Sequence, residues 1–269
     1  MHEWRFQTRC PPSGQTGVQS VGRALDLLEL LSQNEEGLRA SDLARMSGLA
    51  MSTTHRLLTT LEARGFAHAD PDSAAWHVGR TAFAVGSSYG RRRSFVLPAL
   101  PYLRRLRDQT RETANLGVLD RDQLVTISQV ESREIVRAIA PPGGLAPIVC
   151  SGMGKALLAT WPDAEIASFV ARTGLPPMTP HSLTSLQAVM ADIALVRQRG
   201  YAVDDEERNP GLRCVAAPVW SASGEAVCAI SISGLAVRLT LARIPEVGAQ
   251  VRAAAEALSE QLGHIPDPA

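Results

Sequence analysis

Apolar residues recur every three or four positions in the first third of the chain. Val21, Leu25, Leu28 and Leu31, with Ala24 and Leu27 beside them, predict a helix over 18–31. Leu43 and Met46 predict a short helix over 40–47, with Ser41 placed to cap its amino end. Thr54, Leu57, Leu58 and Leu61 form the core face of a third helix over 52–64. Gly48 supplies the freedom for a sharp turn between the last two, and Leu49 plugs the angle. Ser52, Thr53, His55 and Arg56 are left outward near the amino end of the third helix. Small hydroxyls and one arginine there suit phosphate and base-edge contacts in a major groove. An ordinary helical hairpin fits this window equally well. Short segments at 66–70 and 75–78 then flank an Asp70-Pro71-Asp72-Ser73 turn and predict a hairpin. Three helices closed by a hairpin make a winged helix-turn-helix. The wing tip carries no basic residue; His68 and His77 flank it.

Residues 79–89 read as a helix with Phe83 and Tyr89 exposed, running into Arg91-Arg92-Arg93. Such a run is a solvated linker more often than a phosphate clamp. A further helix over 94–112 carries Leu100, Leu103 and Leu106, and it starts where Pro98 and Pro101 fit its first turn. From Thr113 the period changes. Strands are expected at 115–119, 124–130, 134–139, 212–220 and 226–235, and helices at 156–161, after Asp163, at 185–199 and at 241–262. This part is α+β with an antiparallel sheet.

A length of 269 residues allows one large domain or two smaller ones. No apolar run reaches membrane-spanning length. Residues 1–17, with Trp4, Arg5, Arg9 and Pro11-Pro12, lack the apolar core of a signal peptide and read as a disordered tail; a cytoplasmic location is expected. Net charge is zero, and 18–93 holds nine arginines against eight acids, a net of +1. Nucleic acid would therefore be met by local patches, not by a global field. Lys155 is the chain's only lysine. Cys10, Cys150, Cys214 and Cys228 form no C-x-x-C pair and have no histidine at ligand spacing, so no zinc is expected. The last three read as small buried residues in a reducing compartment.

Three stretches have candidate chemistry. Ser151-Gly152-Met153-Gly154 is a glycine-rich turn that opens a helix and aims backbone N–H groups at one point. Val149 and Ala156 break the phosphate-loop pattern, and Ser151 and Lys155 stand four apart rather than three. A small carboxylate suits this turn; a plain capped helix start fits as well. Asp204-Asp205-Glu206-Glu207 points only weakly to a metal, since such runs are usually solvated loops. Ser231 and Ser233 share one face of a strand, with Ile230 and Ile232 on the other. No catalytic triad or carboxylate pair is evident, so an enzyme is not expected and no cofactor is implied.

Ordered motifs run along the chain. They are Val18-Gln19-Ser20-Val21-x-Arg23-Ala24-Leu25, Ser52-Thr53-Thr54-His55-Arg56-Leu57-Leu58-x-x-Leu61, Ser151-Gly152-Met153-Gly154-Lys155-Ala156-Leu157-Leu158, Arg199-Gly200-Tyr201-Ala202-Val203-Asp204-Asp205-Glu206-Glu207, Gly211-Leu212-Arg213-Cys214, and Ile230-Ser231-Ile232-Ser233-Gly234. Together they resemble the IclR family of bacterial transcriptional regulators. The resemblance implies a winged helix-turn-helix over 18–79, a linker helix over 80–93 and a GAF-like effector-binding domain over 94–264. It implies a homodimer or homotetramer on a near-palindromic double-stranded DNA operator, read here as a repressor, with no membrane partner. It also implies a small carboxylate or carbonyl metabolite held by Gly152, Met153, Asp204, Cys214, Ser231 and Ser233. Met153 is larger than the alanine or valine often found there, which reshapes the pocket. The wing lacks the usual glycine and basic residue. The competing reading is a GAF-type enzyme or cysteine redox sensor. That reading requires a thiol of lowered pKa at Cys150, Cys214 or Cys228, with Lys155 or Arg213 supplying the positive charge. A third reading gives the second domain only an assembly role.

Overall fold

A computed structural model describes residues 18–91 and 93–265. The expected tail at 1–17 and Arg92 of the arginine run lie outside the described residues. The chain divides into two compact units between Arg93 and Ser94.

The first unit is α1 (Gln19–Ser32), β1 (Leu38–Arg39), α2 (Ala40–Ser47), α3 (Met51–Ala63), β2 (Ala67–Ala69), β3 (Ala75–Val78) and α4 (Arg80–Arg91). The strands form a small antiparallel sheet in the order β1-β3-β2. Leu27, Leu31, Leu43, Leu58, Ala67 and Trp76 make its core. Two expectations are corrected here. Val21 and Leu25 are exposed. The buried stripe centres on Leu27 and Leu31, and at ~100° per residue Val21 and Leu25 fall more than about 100° away from Leu27. Ser41 caps nothing: Arg39 holds the N-cap position without a side-chain bond. The pairing of β1 with β3 runs straight into α2, so Ser41 is already inside the first helical turn. Gly48 ends α2 in the left-handed conformation at φ 69°, which lets α3 turn away within two residues.

The second unit begins with α5 (Val96–Thr110) and continues as β4 (Thr113–Asp120), β5 (Gln123–Val130), β6 (Leu145–Pro147), α6 (Gly152–Leu158), α7 (Asp163–Thr173), α8 (Leu186–Arg199), β7 (Ala202–Asp205), β8 (Leu212–Trp220) and β9 (Ala226–Leu235). A 3-10 turn at Leu241–Arg243 leads into α9 (Ile244–Gln261). The six strands run β6-β5-β4-β9-β8-β7, every neighbouring pair antiparallel. One face buries Leu116, Val118, Val215, Val219, Ile230 and Ile232 with residues of α5 and α9, including Leu103, Leu106, Val247 and Val251. The other packs Leu124, Ala202, Ala216 and Ala229 on Met153, Ala156 and Leu157 of α6.

Several boundaries differ from the sequence pattern. Helix α5 starts at Val96, so Pro101 sits inside it rather than in its first turn. That removes the N–H owed to the Leu97 carbonyl, and Leu97 is exposed. The strand expected at 134–139 is irregular chain. Its backbone is tied by side chains instead: Thr113 donates to the Ala138 carbonyl and Arg238 to that of Val136. The sheet edge beside β5 is taken by β6. Helix α6 begins at Gly152, four residues earlier than expected, because the Ser151 hydroxyl accepts from the Gly154 amide. Among the described residues no helix is long and apolar enough to cross a membrane.

Candidate functional site

On the first unit, Ser52, His55 and Arg56 are exposed and Thr53 is half-buried, all in the first turns of α3. Thr54 and Leu58 on the opposite side are buried and fix the helix on its core. No ion pair or side-chain hydrogen bond holds the Arg56 guanidinium among the described residues. The wing turn is self-contained. Asp70 accepts from the Asp72 amide and the Ser73 hydroxyl, and these bonds hold its carboxyl below the usual range. His68 and His77 face each other across β2 and β3.

In the second unit, strand alternation sorts the polar residues onto the α6 face. The register sets Asp204 opposite Cys214 and Cys214 opposite Ser233, making one row across β7, β8 and β9. A neighbouring row runs Ala216, Ser231, Asn115, Gln129. Asn115 donates to both serine hydroxyls, at 3.2 Å to Ser231 and 3.1 Å to Ser233, and accepts from Gln129 at 3.2 Å. A cavity of about 70 Å³ opens above these rows. Met153, Asp204, Cys214 and Ser233 line it, together with Ser151, Asn115, Thr126 and Arg208. Gly152 and Ser231 are not on its wall. Gly152 packs behind, where an added Cβ would stand 2.9 Å from the Cys214 sulfur. Ser231 lies fully buried beneath Asn115. Met153 rests against Gly117, whose own Cβ would meet the thioether at 2.9 Å. As the first two residues of α6, Gly152 and Met153 have amides without an intrahelical acceptor.

The acidic run is not a solvated loop. Asp204 and Asp205 end β7 on opposite faces, and Glu206 bends the chain with φ 59°. Asp205 and Glu206 both pair with Arg213, at 2.5 and 3.2 Å. Asp204 and Glu207 turn inward and are buried. Asp204 accepts from the Glu207 amide at 2.9 Å. Burial first, then the Glu207 charge, push its carboxyl up to about 7. Lys155 is fully buried, 2.5 Å from Glu207 and 2.9 Å from Asp192. Burial pulls its pKa down, but the Glu207 and Asp192 charges outweigh that and hold it above its ordinary value. Among the described residues no group of three or more His, Cys, Asp or Glu is arranged to hold a metal ion.

The thiols give the redox reading no support. Burial pushes Cys150 and Cys214 up to about 11, and Cys228 higher still. The positive charges that reading needs are spent: Lys155 on two acids and Arg213 on two others. Cys214 joins the cavity wall as a neutral thiol.

Sequence reasoning missed Asn115, Thr126 and Arg208. Asn115 was readable as a lone amide inside an apolar strand. Arg208 was hidden by its neighbours, since an arginine after four acids reads as their solvated counter-ion.

A winged helix-turn-helix and a sheet domain with a cavity partly lined by polar side chains, on one chain, define a transcriptional regulator that carries its own effector-binding domain. The chain belongs to the IclR family: the family model "Bacterial transcriptional regulator IclR C-terminal" matches residues 89–260, and "IclR helix-turn-helix domain" matches 20–71. The HTH-type transcriptional regulator BhcR of Paracoccus denitrificans is 43% identical, covering 90% of this chain and 87% of its own length. The transcriptional repressor IclR of Escherichia coli is 39% identical over 94% of this chain and 92% of its own. The crystal structure of the Thermotoga maritima IclR superposes with a TM-score of 0.79 at 27% identity, covering 91% of this chain and 99% of that one.

Proposed function

We propose that this regulator is a cytoplasmic, non-enzymatic repressor, a homodimer or homotetramer whose grip on a double-stranded operator is altered by a small carboxylate or carbonyl metabolite. The curated relative named as a repressor supports the sign of regulation. Arg56, Ser52, Thr53 and His55 contact DNA, with two α3 helices entering successive major grooves about 34 Å apart or a multiple of that.

The observation that carries the effector reading is the small cavity of the second unit, an apolar wall set with a few polar side chains. Its wall combines the Met153 end of α6 with the Ser233 hydroxyl and the Asn115 amide that braces it. The Met153 amide, at the open end of α6, takes an oxygen of the ligand, and Gly152 supports it from behind the wall. Ser233 hydrogen-bonds it, and Ser231 acts from beneath through Asn115. Asp204, easily protonated, donates to the ligand instead of repelling it. The ligand shifts operator binding only through unequal affinity for the two states of the protein.

Fluorescence anisotropy on DNA from upstream of the protein's own gene tests this. Binding should be tight and salt-sensitive, and one acid from a panel of glyoxylate, pyruvate, succinate semialdehyde and aromatic acids should alter it. Arg56→Ala should weaken DNA binding roughly 10-fold or more and leave ligand binding intact. DNA binding that no member of the panel changes would overturn the effector reading.

A further inference from the structure

Arg208 stands on the cavity wall just after the acidic run. One of its nitrogens donates to the Leu145 carbonyl at 2.7 Å. Among the described residues it has no ion pair, and no carboxylate lies within 4.0 Å of it. The other arginine on this wall, Arg213, is neutralised twice over. Burial draws the Arg208 pKa below its ordinary value, against the opposing pull of Asp204, Cys214 and Cys150. The protein therefore keeps a half-buried cation facing the cavity, and among the described residues its guanidinium hydrogen-bonds only a peptide carbonyl. Uncompensated buried charge is costly, and an anion entering the space removes that cost. Both cysteines nearby stay neutral, and Asp204, its carboxyl pushed up to about 7 and beyond ion-pair distance, offsets the charge only in part.

We propose that Arg208 is the counter-ion for the effector's carboxylate and makes this cavity select small acids over their uncharged analogues. The proposal rests on the reading of the cavity as the effector site and adds the group that decides its ligand class. Helix amides and hydroxyls bind a carbonyl or amide oxygen as readily as a carboxylate oxygen. A guanidinium discriminates, because its charge-assisted bond to a carboxylate is the stronger one.

The test uses calorimetry on the full chain with pyruvate and pyruvamide, which differ in charge and little in size. The wild type should bind pyruvate more tightly. Arg208→Gln should lose roughly 10- to 100-fold in pyruvate affinity and bind pyruvamide as before. Arg208→Lys, which keeps the charge and loses the fork, should recover part of the preference. A Gln variant that folds and keeps the wild-type preference would overturn the role of Arg208 and leave the cavity reading standing. A wild type that binds neither compound, nor glyoxylate or benzoate, would overturn the cavity reading itself. If the Gln variant melts early, the Lys variant still decides: pyruvate affinity alone should fall, and an equal loss for both ligands would overturn the proposal.

Discussion

Lys155 shows how one side chain can hold a domain together without touching its ligand. Two acids, Glu207 and Asp192, share its ammonium in the interior. Lys155→Met would leave them facing each other uncompensated. The expected loss is about 3–5 kcal/mol, read as a lower denaturant midpoint with an unchanged slope. Asp204 carries the opposite sign. Its folded-state pKa of about 7 lies above the ordinary value of 3.8, so the folded chain holds this proton where the unfolded chain has released it. Its contribution is complete below about pH 4 and is lost as pH rises through about 7. Glu207 adds to the rise, while Lys155 and the Glu207 and Arg208 amides resist it. Asp204→Asn should therefore melt above the wild type at alkaline pH, and the difference should shrink towards pH 4. A gap that stays constant across that range would mean Asp204 is ionised throughout. At this scale the sequence was only partly legible. Ser231 and Ser233 were visible as strand alternation, whereas Cys214 read as a small buried residue and entered the site only through the family resemblance. The inward turn of Asp204 and Glu207 was not, because it depends on the left-handed backbone at Glu206.

Helix α3 and the wing make separable contributions at the level of elements. Leu58 is fully buried in the core of the first unit. Leu58→Ala should cost about 2–5 kcal/mol and abolish DNA binding through unfolding, visible as lost helical circular dichroism. The wing differs. Asp72 is exposed, and among the described residues its side chain makes no hydrogen bond or ion pair, so it is free to change. Asp72→Lys should strengthen DNA binding and steepen its salt dependence by about one counter-ion. An unaltered slope in anisotropy titrations would place the wing away from the phosphates. Long periodic elements were legible: β8 and β9 fall where the alternation of Val215, Ala217 and Val219 and of Ile230 and Ile232 puts them. Short ones were not. β1 has two residues and β6 three, and each exists through its partner strand rather than its own pattern. The irregular stretch holding Ile135 and Val136 had the right apolar residues for a strand, but side chains had claimed its backbone groups.

Two compact units in one chain predict two separable responses of the whole molecule. A ligand in the second unit stabilises that unit by RT ln(1 + [L]/Kd), about 2.7 kcal/mol at a hundredfold excess over Kd. Scanning calorimetry of the full chain should show that shift undiminished in Leu58→Ala, whose damage is confined to the first unit. The division also has a chemical side. The only lysine of 269 residues is Lys155, and none of its side chain is exposed. The folded surface of the described residues thus bears guanidinium groups and no ε-amine at all. Acetyl donors, succinimidyl esters and amine cross-linkers will find no lysine to modify until the second unit opens. A fluorophore delivered by such chemistry to Lys155 therefore reports unfolding, and any enzyme that regulates proteins by acylating lysine meets a molecule with no address for it.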